Sequence, residues 1–142
     1  MCGIRGKAGV SDSVIARQQL RQRAVPGSVP VVRDMVARFL ACLGVSSSRS
    51  GDIQLAVTEA CGNVVRHAYP GGHGDLLCEC EATDDEITIR VSDWGIGTDH
   101  PSAQPGLGLG IPLIEQLSDH TAQSHSLGVT MRDMRFTRSP SG

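Results

Sequence analysis

Three short segments constrain this sequence more than its overall composition does. In the first, Glu59 and Asn63 stand four residues apart in an apolar-periodic stretch, so that on a helix both lie on one face. The second ends an apolar run with Asp93-Trp-Gly-Ile-Gly97, and the third, Gly106-Leu-Gly-Leu-Gly110, precedes another apolar stretch. Each segment alone is a weak signal. Their order and spacing together predict a nucleotide-binding site that holds ATP with a divalent cation.

The first two segments carry complementary chemistry. The amide oxygen of Asn63 is a hard, neutral ligand suited to Mg²⁺, and the carboxylate of Glu59 could orient or deprotonate an attacking hydroxyl. At a strand end, Asp93 could accept a hydrogen bond from an exocyclic amine such as that of adenine. Gly95 and Gly97 would let the backbone come close to a ring. The simpler alternatives are a solvated helix face for the first segment and a plain loop exit for the second.

The glycine-rich third segment suits phosphate binding. Glycines at a helix start expose backbone N–H groups, and the helix dipole adds to their attraction for anions. The segment follows a polar, proline-containing stretch rather than a strand, and its spacing is not that of a dinucleotide fingerprint. It also lacks the Gly-Lys-Ser/Thr that closes a P-loop. The alternative is a flexible hinge before a helix.

Length and charge narrow the class of protein. A chain of 142 residues suits one domain, and a net charge of −2 provides no general attraction for nucleic acid. No apolar run is long enough to span a membrane. The five cysteines are odd in number, which argues against a disulfide framework and favours a reduced, cytoplasmic protein. The Cys78-Glu-Cys80 spacing is too tight for the usual zinc pair.

Hydrophobic periodicity predicts the order strand, helix, helix, strand, strand, helix, strand, strand. We expect a disordered leader over residues 1–16, one domain over 17–137 and a tail over 138–142. The predicted strands cover residues 19–25, 75–82, 86–93, 121–124 and 128–136, and the predicted helices cover about 28–43, 49 or 52 to 67, and 109–117. This pattern indicates an α+β fold, a two-layer α/β sandwich with a mixed, mostly antiparallel sheet and helices on one face.

The same periodicity predicts the buried side chains. Ser28 is expected to cap the first helix, and Gly44 to end it. The last strand is expected to turn Val129 and Met131 inward, with either Met134 or Phe136. The other predicted core residues are Val32, Met35, Val36, Phe39, Leu40, Leu43, Ile53, Leu55, Ala56, Val57, Ala60, Val64, Val65, Ile87, Ile89 and Val91.

The three segments resemble the N box and the two glycine boxes of the GHKL, or Bergerat-fold, ATPases, the superfamily that includes gyrase and the histidine kinases. Within it, Val57-Thr-Glu-Ala-Cys-Gly-Asn-Val-Val-Arg-His-Ala-Tyr69 is similar to the helix of the anti-sigma factor serine/threonine kinases of the RsbW and SpoIIAB type. Pro26-Gly-Ser-Val-Pro-Val-Val-Arg33 and Gly128-Val-Thr-Met-Arg132 resemble that family's first-helix entry and last strand. The resemblance covers roughly residues 20–136.

This resemblance implies a role for each matching position. Glu59 would be the catalytic base, Asn63 the Mg²⁺ ligand, and Asp93 the residue that reads adenine, assisted by Thr130. His67 would lie near the phosphates. Two groups of positions complete the implied ATP site: Gly95 and Gly97 around the base, and Gly106, Leu107, Gly108, Leu109 and Gly110 over the phosphates.

The implied function is an ATP- and Mg²⁺-dependent anti-sigma factor. It would phosphorylate a serine or threonine of a STAS-type antagonist protein, regulating transcription by partner switching, and it would be a homodimer that binds neither membrane nor nucleic acid directly. Two alternatives stay open. One is a catalytically silent, ATP-gated binding module of the same fold. The other is a detached histidine-kinase catalytic domain, which would need a phosphoacceptor histidine on a dimerising helix hairpin, and this chain leaves no room for one.

Overall fold

The computed structural model describes residues 13–96 and 110–138. These residues form an α+β fold in which helices pack on a single sheet, as the sequence predicts. The elements in chain order are β1 (Ala16–Arg23), α1 (Ser28–Cys42), α2 (Ser47–Asn63), a π-helical turn (Val64–Ala68), β2 (Asp75–Ala82), β3 (Glu86–Asp93), α3 (Gly110–Leu117), β4 (His120–Ser126) and β5 (Val129–Thr137).

The sheet has five strands in the order β1-β2-β3-β5-β4. All four described pairings are antiparallel. The expected sheet was mixed and mostly antiparallel, and the described strands include no parallel pair. Alternate residues of β2 and β3 are buried, because successive side chains of a strand point to opposite faces. β1 lies at one edge, and the β4–β5 hairpin lies at the other. The buried face of the sheet packs against α1 and α2.

The core contains most of the predicted apolar residues, with two corrections. Leu55 is 43% exposed, so it lies outside the buried stripe of α2. In β5, both Met134 and Phe136 are buried, whereas Val129 and Met131 are only partly buried. The last strand therefore has the opposite orientation from the main expectation. The orientation matters for function because it places the side chain of Thr130 on the buried side.

The ends of α1 are only partly as expected. The N-cap is Gly27, without a side-chain hydrogen bond, and Ser28 is the first helical residue and buried. The predicted Ser28 cap is therefore wrong. Gly44 does end the helix, with a φ of 74°. The N–H of Gly44 donates to the carbonyl of Ala41, and that of Val45 donates to the carbonyl of Leu40, which satisfies two carbonyls that the helix end would leave unpaired.

The second helix differs from the prediction at both ends. It begins at Ser47, before the predicted start at residue 49 or 52, and the Ser46 hydroxyl accepts a 3.2 Å hydrogen bond from the Arg49 N–H. After Asn63 the chain continues as the π-helical turn rather than as α-helix. Such turns are rare and are frequent at functional sites.

The described part of the chain also bears on the leader and the cysteines. Ile15 is buried and its N–H donates to the carbonyl of Ala82 at 2.7 Å, so the domain includes the last residues assigned to the leader. The thiols of Cys61, Cys78 and Cys80 are free and buried. Within the described residues, no helix has the length and apolar character needed to cross a membrane.

Candidate nucleotide-binding site

The structure brings the first and third sequence segments together. Glu59 and Asn63 are both partly buried on α2, and Gly110, the first residue of α3, lies directly against their side chains. A Cβ atom added to Gly110 would lie 3.2 Å from Oε1 of Glu59 and 3.3 Å from Oδ1 of Asn63. The carboxylate and the amide are therefore neighbours at the start of a helix, as the motif spacing predicts.

The guanidinium group of Arg66 lies beside this pair of side chains. Nη2 of Arg66 donates a 3.1 Å hydrogen bond to Oδ1 of Asn63. The same guanidinium covers Gly62, where an added Cβ atom would lie 2.9 Å from Nη1 of Arg66. Gly62 is unfavourable inside a helix by about 1 kcal/mol. The amide oxygen expected to bind a metal thus has a positively charged partner in the free protein.

The end of the helical segment is joined to the end of β3. The carbonyl oxygen of Ala68, in the π-helical turn, accepts a 3.0 Å hydrogen bond from the N–H of Ile96. An added Cβ atom on Gly95 would lie 2.0 Å from that oxygen, so only glycine allows the approach. Asp93, two residues before Gly95, is in this way held next to the segment that carries Asn63.

Tyr69 fixes the same junction from the other side. Its hydroxyl donates to the carbonyl of Asp75 at 2.6 Å and accepts from the N–H of Trp94 at 2.9 Å. Its ring leaves no room for a side chain at Gly74, where a Cβ atom would lie 2.0 Å from the ring. Sequence analysis missed this role of Tyr69. The available signal was a tyrosine at the helix end followed by a glycine-rich loop.

Asp93 is a buried carboxylate, only 6% exposed. Its Oδ1 accepts a 2.9 Å hydrogen bond from the N–H of Gly95, and within the described residues Oδ2 receives none. Burial raises the pKa of Asp93, against the opposing effects of the Gly95 hydrogen bond and of His125. A carboxylate oxygen without a donor can accept a hydrogen bond from a ligand amine.

Two further side chains lie beside Asp93. Thr130 of β5 is directly opposite Asp93 of β3 and is 6% exposed, in agreement with its predicted place. His125 of β4 is directly opposite Thr130, and its Nδ1 lies 2.6 Å from the Thr130 hydroxyl. Sequence analysis missed His125, because its position follows from the pairing of β4 with β5.

The remaining predicted site residues divide into two groups. His67 lies in the π-helical turn, one turn beyond Asn63, and is partly exposed. The other predicted positions lie outside the described residues, and they are Gly97, Gly106, Leu107, Gly108 and Leu109.

The residues present fit ATP and Mg²⁺. Magnesium in nucleotide sites is held by one or two protein oxygens together with phosphates and water, and Asn63 offers such an oxygen next to the carboxylate of Glu59. Among the described residues, no cluster of three or more His, Cys, Asp or Glu side chains could hold a metal.

Comparisons with known proteins agree with this geometry. The chain matches a family model described as the histidine kinase-like ATPase domain over residues 23–136. It is 28% identical over 134 residues to the serine-protein kinase RsbW of Bacillus licheniformis, which covers 83% of this chain and 84% of that protein. It is 27% identical over 118 residues to the serine-protein kinase RsbW of Bacillus cereus strain G9842, with 72% and 74% covered.

A solved structure shows the same fold. The chain is similar to the crystal structure of the RsbU and RsbW domains of Rv1364c from Mycobacterium tuberculosis, with a TM-score of 0.63 and 22% identity. The similarity covers 89% of this chain and 34% of that one, so the chain spans about a third of its length. Together, the comparisons confirm the resemblance inferred from the three motifs.

Proposed function

Because the chain belongs to the histidine kinase-like ATPase domain family, we propose that it binds ATP with Mg²⁺ and transfers the γ-phosphate to a serine or threonine of a partner protein. The observation that carries this proposal is the convergence of Glu59, Asn63 and Gly110 at the start of α3. The relatives named serine-protein kinase RsbW support the kinase activity.

The residues divide the work between binding and chemistry. Asp93 accepts a hydrogen bond from the adenine amine, and Thr130 assists it from the neighbouring strand. Asn63 would hold Mg²⁺, which would supply neutralisation of the charge on the phosphates. Arg66 must then exchange its contact with the Asn63 oxygen for another partner, and bound phosphate is a suitable one.

Glu59 is the proposed base. The hydroxyl oxygen of the acceptor attacks the γ-phosphorus, the bond from that phosphorus to the ADP oxygen breaks, and the hydroxyl proton passes to the Glu59 carboxylate. The carboxylate must therefore lie within hydrogen-bond reach of the acceptor hydroxyl. Its place beside the proposed metal ligand, at the start of α3, is consistent with that requirement.

The proposed biological role is regulation of transcription by partner switching. The protein would act in the cytoplasm as a homodimeric anti-sigma factor, holding a sigma factor inactive. It would release that factor when an unphosphorylated STAS-type antagonist binds. Phosphorylation of the antagonist would add about −1.5 to −2 charges at its contact surface and so end that interaction. Of this role, the name of the relatives, serine-protein kinase RsbW, supports the phosphorylation step.

The test is a phosphotransfer assay. Purified protein is incubated with ATP, Mg²⁺ and candidate antagonist proteins, and any phosphate is located on the acceptor by mass spectrometry. Transfer to a serine or threonine is the expected result. Tight ATP binding without transfer to any candidate would instead support the ATP-gated binding module. Phosphate on a histidine would support the histidine-kinase alternative.

A further inference from the structure

A row of three polar side chains crosses the sheet beside the proposed adenine pocket. Asp93 on β3, Thr130 on β5 and His125 on β4 are successive partners in the strand register. Asp93 and Thr130 are each 6% exposed, whereas His125 is exposed. The row therefore runs from the solvent-facing edge of the sheet to the buried carboxylate.

The hydrogen bond between His125 and Thr130 can run in either of two directions, here called its two polarities. Nδ1 of His125 lies 2.6 Å from the Thr130 hydroxyl oxygen, and one hydrogen lies between them. If Nδ1 carries a proton, the imidazole donates, and the single hydroxyl hydrogen of Thr130 is left to point elsewhere. If Nδ1 carries none, Thr130 must donate to it, and its oxygen can then only accept on the pocket side.

These two polarities suit different ligands. The hydrogen-bonding edge of adenine presents an amine donor next to a ring-nitrogen acceptor. An ionised Asp93 can only accept, so it suits the amine, and the ring nitrogen needs a donor, either directly or through water. Among the three residues of the row, only Thr130 can supply that donor, and it can do so when His125 donates to it.

We propose that His125 is a positioning residue of the adenine pocket, because it makes the Thr130 hydroxyl a donor toward adenine. ATP affinity is then coupled to the protonation of the imidazole. The proposal rests on the proposed function, because it needs adenine in this pocket. Protonated His125 holds Nδ1 in its donor form. A neutral imidazole carries only one ring proton, which can lie on Nε2 instead, so the donor form is then only part of the population.

The charged groups around the row bear on this coupling. Asp93 attracts a protonated imidazole at position 125, an interaction that also lowers the pKa of Asp93. Arg132 lies on the same face of β5 and opposes that charge. Its guanidinium donates to Gln123 at 3.1 Å and Thr121 at 3.3 Å, and it interacts with the charge of Glu115 on α3.

The test measures ATP affinity by calorimetry at several pH values, from about 5.5 to 8, where imidazoles titrate. His125→Asn places an amide donor near the position of Nδ1 at every pH, and His125→Ala removes the contact. His120→Asn is the matched control, because His120 is on the same strand but pairs with Arg135 on the opposite face. Phosphate groups also titrate near pH 6, so the quantity compared is the ratio of wild-type to variant affinity at each pH.

We expect wild-type affinity to fall about threefold to tenfold, relative to His125→Asn, as pH rises through this range, the effect of one hydrogen bond. The His120→Asn ratio should stay constant. In the free protein, ¹⁵N chemical shifts of the His125 ring report whether Nδ1 carries a proton, and so whether the imidazole is in its donor form.

Two results would overturn the inference in distinguishable ways. If wild type binds ATP but its ratio to His125→Asn does not change with pH, His125 does not orient Thr130, and the proposed function is unaffected. If wild type binds no ATP at any pH, both the inference and the proposed function are wrong. Thermal unfolding of each variant checks that a changed affinity is not a consequence of a lost fold.

Discussion

Gly95 approaches the carbonyl oxygen of Ala68 so closely that a Cβ atom at position 95 would lie 2.0 Å from that oxygen. The next N–H along the chain, that of Ile96, donates to the same oxygen at 3.0 Å. This contact ties the strand end that carries Asp93 to the helical segment that carries Asn63. The proposed adenine pocket and metal site are therefore held together by a backbone contact, and this contact requires a residue without a side chain at position 95.

Gly95→Ala should destabilise the protein by at least about 2 kcal/mol, since the added methyl group overpacks against backbone that cannot rotate away. Gly51→Ala is the matched control. Gly51 lies in α2 with nothing within 4 Å of an added Cβ atom, so that variant should gain about 0.5–1 kcal/mol. Chemical denaturation of both variants measures the two effects. Equal stabilities would show that the contact between positions 95 and 68 is not formed in solution.

Asp93→Asn should weaken ATP binding and strengthen the fold. The amide turns a donor toward the adenine amine, a mismatch of about 1–3 kcal/mol, which lowers affinity about tenfold or more. In the free protein burial raises the pKa of Asp93, so the native state binds this proton more tightly than the unfolded state does. The wild type therefore loses stability as pH rises from about 4 through the native pKa.

The variant has no carboxylate to ionise and still offers an oxygen to the Gly95 N–H. It should unfold at a higher temperature than wild type at pH 7, and the difference should shrink as pH falls toward 4. Calorimetric titration with ATP and thermal scans at several pH values measure the two effects. Unchanged ATP affinity would show that Asp93 does not contact adenine. A lower unfolding temperature of the variant at pH 7 would contradict the proposed destabilisation by the buried charge of Asp93.

Asn63→Ala should remove the Mg²⁺ dependence of nucleotide binding. The substitution deletes the amide oxygen while leaving α2 intact, because alanine is the better helix former. Gln54→Ala is the control, since Gln54 is an amide on the same helix that bonds Ser50 instead. ATP titrations with and without Mg²⁺ should differ in wild type and Gln54→Ala, and should agree in Asn63→Ala. A difference retained in Asn63→Ala would show that another group holds the ion.

The sequence predicted β2 and β3 with their observed bounds, for a local reason. Burial alternates along β2 and along β3 as far as Val91, and the turn between them carries its own hydrogen bonds, from the N–H groups of Asp85 and Glu86 to the Thr83 hydroxyl. The end of α1 was equally predictable, because Gly44 adopts the left-handed conformation that favours glycine. Such features depend on neighbours in sequence, and pattern analysis detects them.

The orientation of β5 depends on partners far along the chain. Each face of this strand carries two apolar residues, Val129 and Met131 on one and Met134 and Phe136 on the other, so alternation alone could not decide between them. The pairing of Thr130 with Asp93 decides it. The roles of Tyr69 and His125 were missed for the same reason, since both follow from long-range contacts that no local pattern encodes.

The buried thiols should be unreactive in the native protein. Burial raises the pKa of Cys61 to about 12, and the pKa of Cys78 is also raised, by its hydrogen bond with Cys80 and by burial. Because the thiolate is the nucleophile, and because Cys61, Cys78 and Cys80 are all buried, a thiol reagent at pH 8 should modify these three cysteines only after unfolding. Mass spectrometry of peptides from native and denatured samples measures this. Rapid native labelling of Cys61 would show that α2 does not pack on the sheet as described.

Glu59→Ala separates an enzyme from a binding module. A base acts on the attacking hydroxyl and contributes about 10²–10⁴-fold to the rate, with little share in ground-state binding. The variant should therefore keep ATP affinity and partner binding, while phosphate transfer falls at least about a hundredfold. Glu59→Gln should behave in the same way, because it keeps the size of the side chain but not its basicity. Asp52→Ala, an exposed acid two turns earlier on α2, should transfer at the wild-type rate. Single-turnover transfer assays and calorimetry measure the two quantities. If both Glu59 variants transfer phosphate as fast as wild type, Glu59 is not the catalytic base. The proposed kinase activity would then stand, with another group accepting the hydroxyl proton.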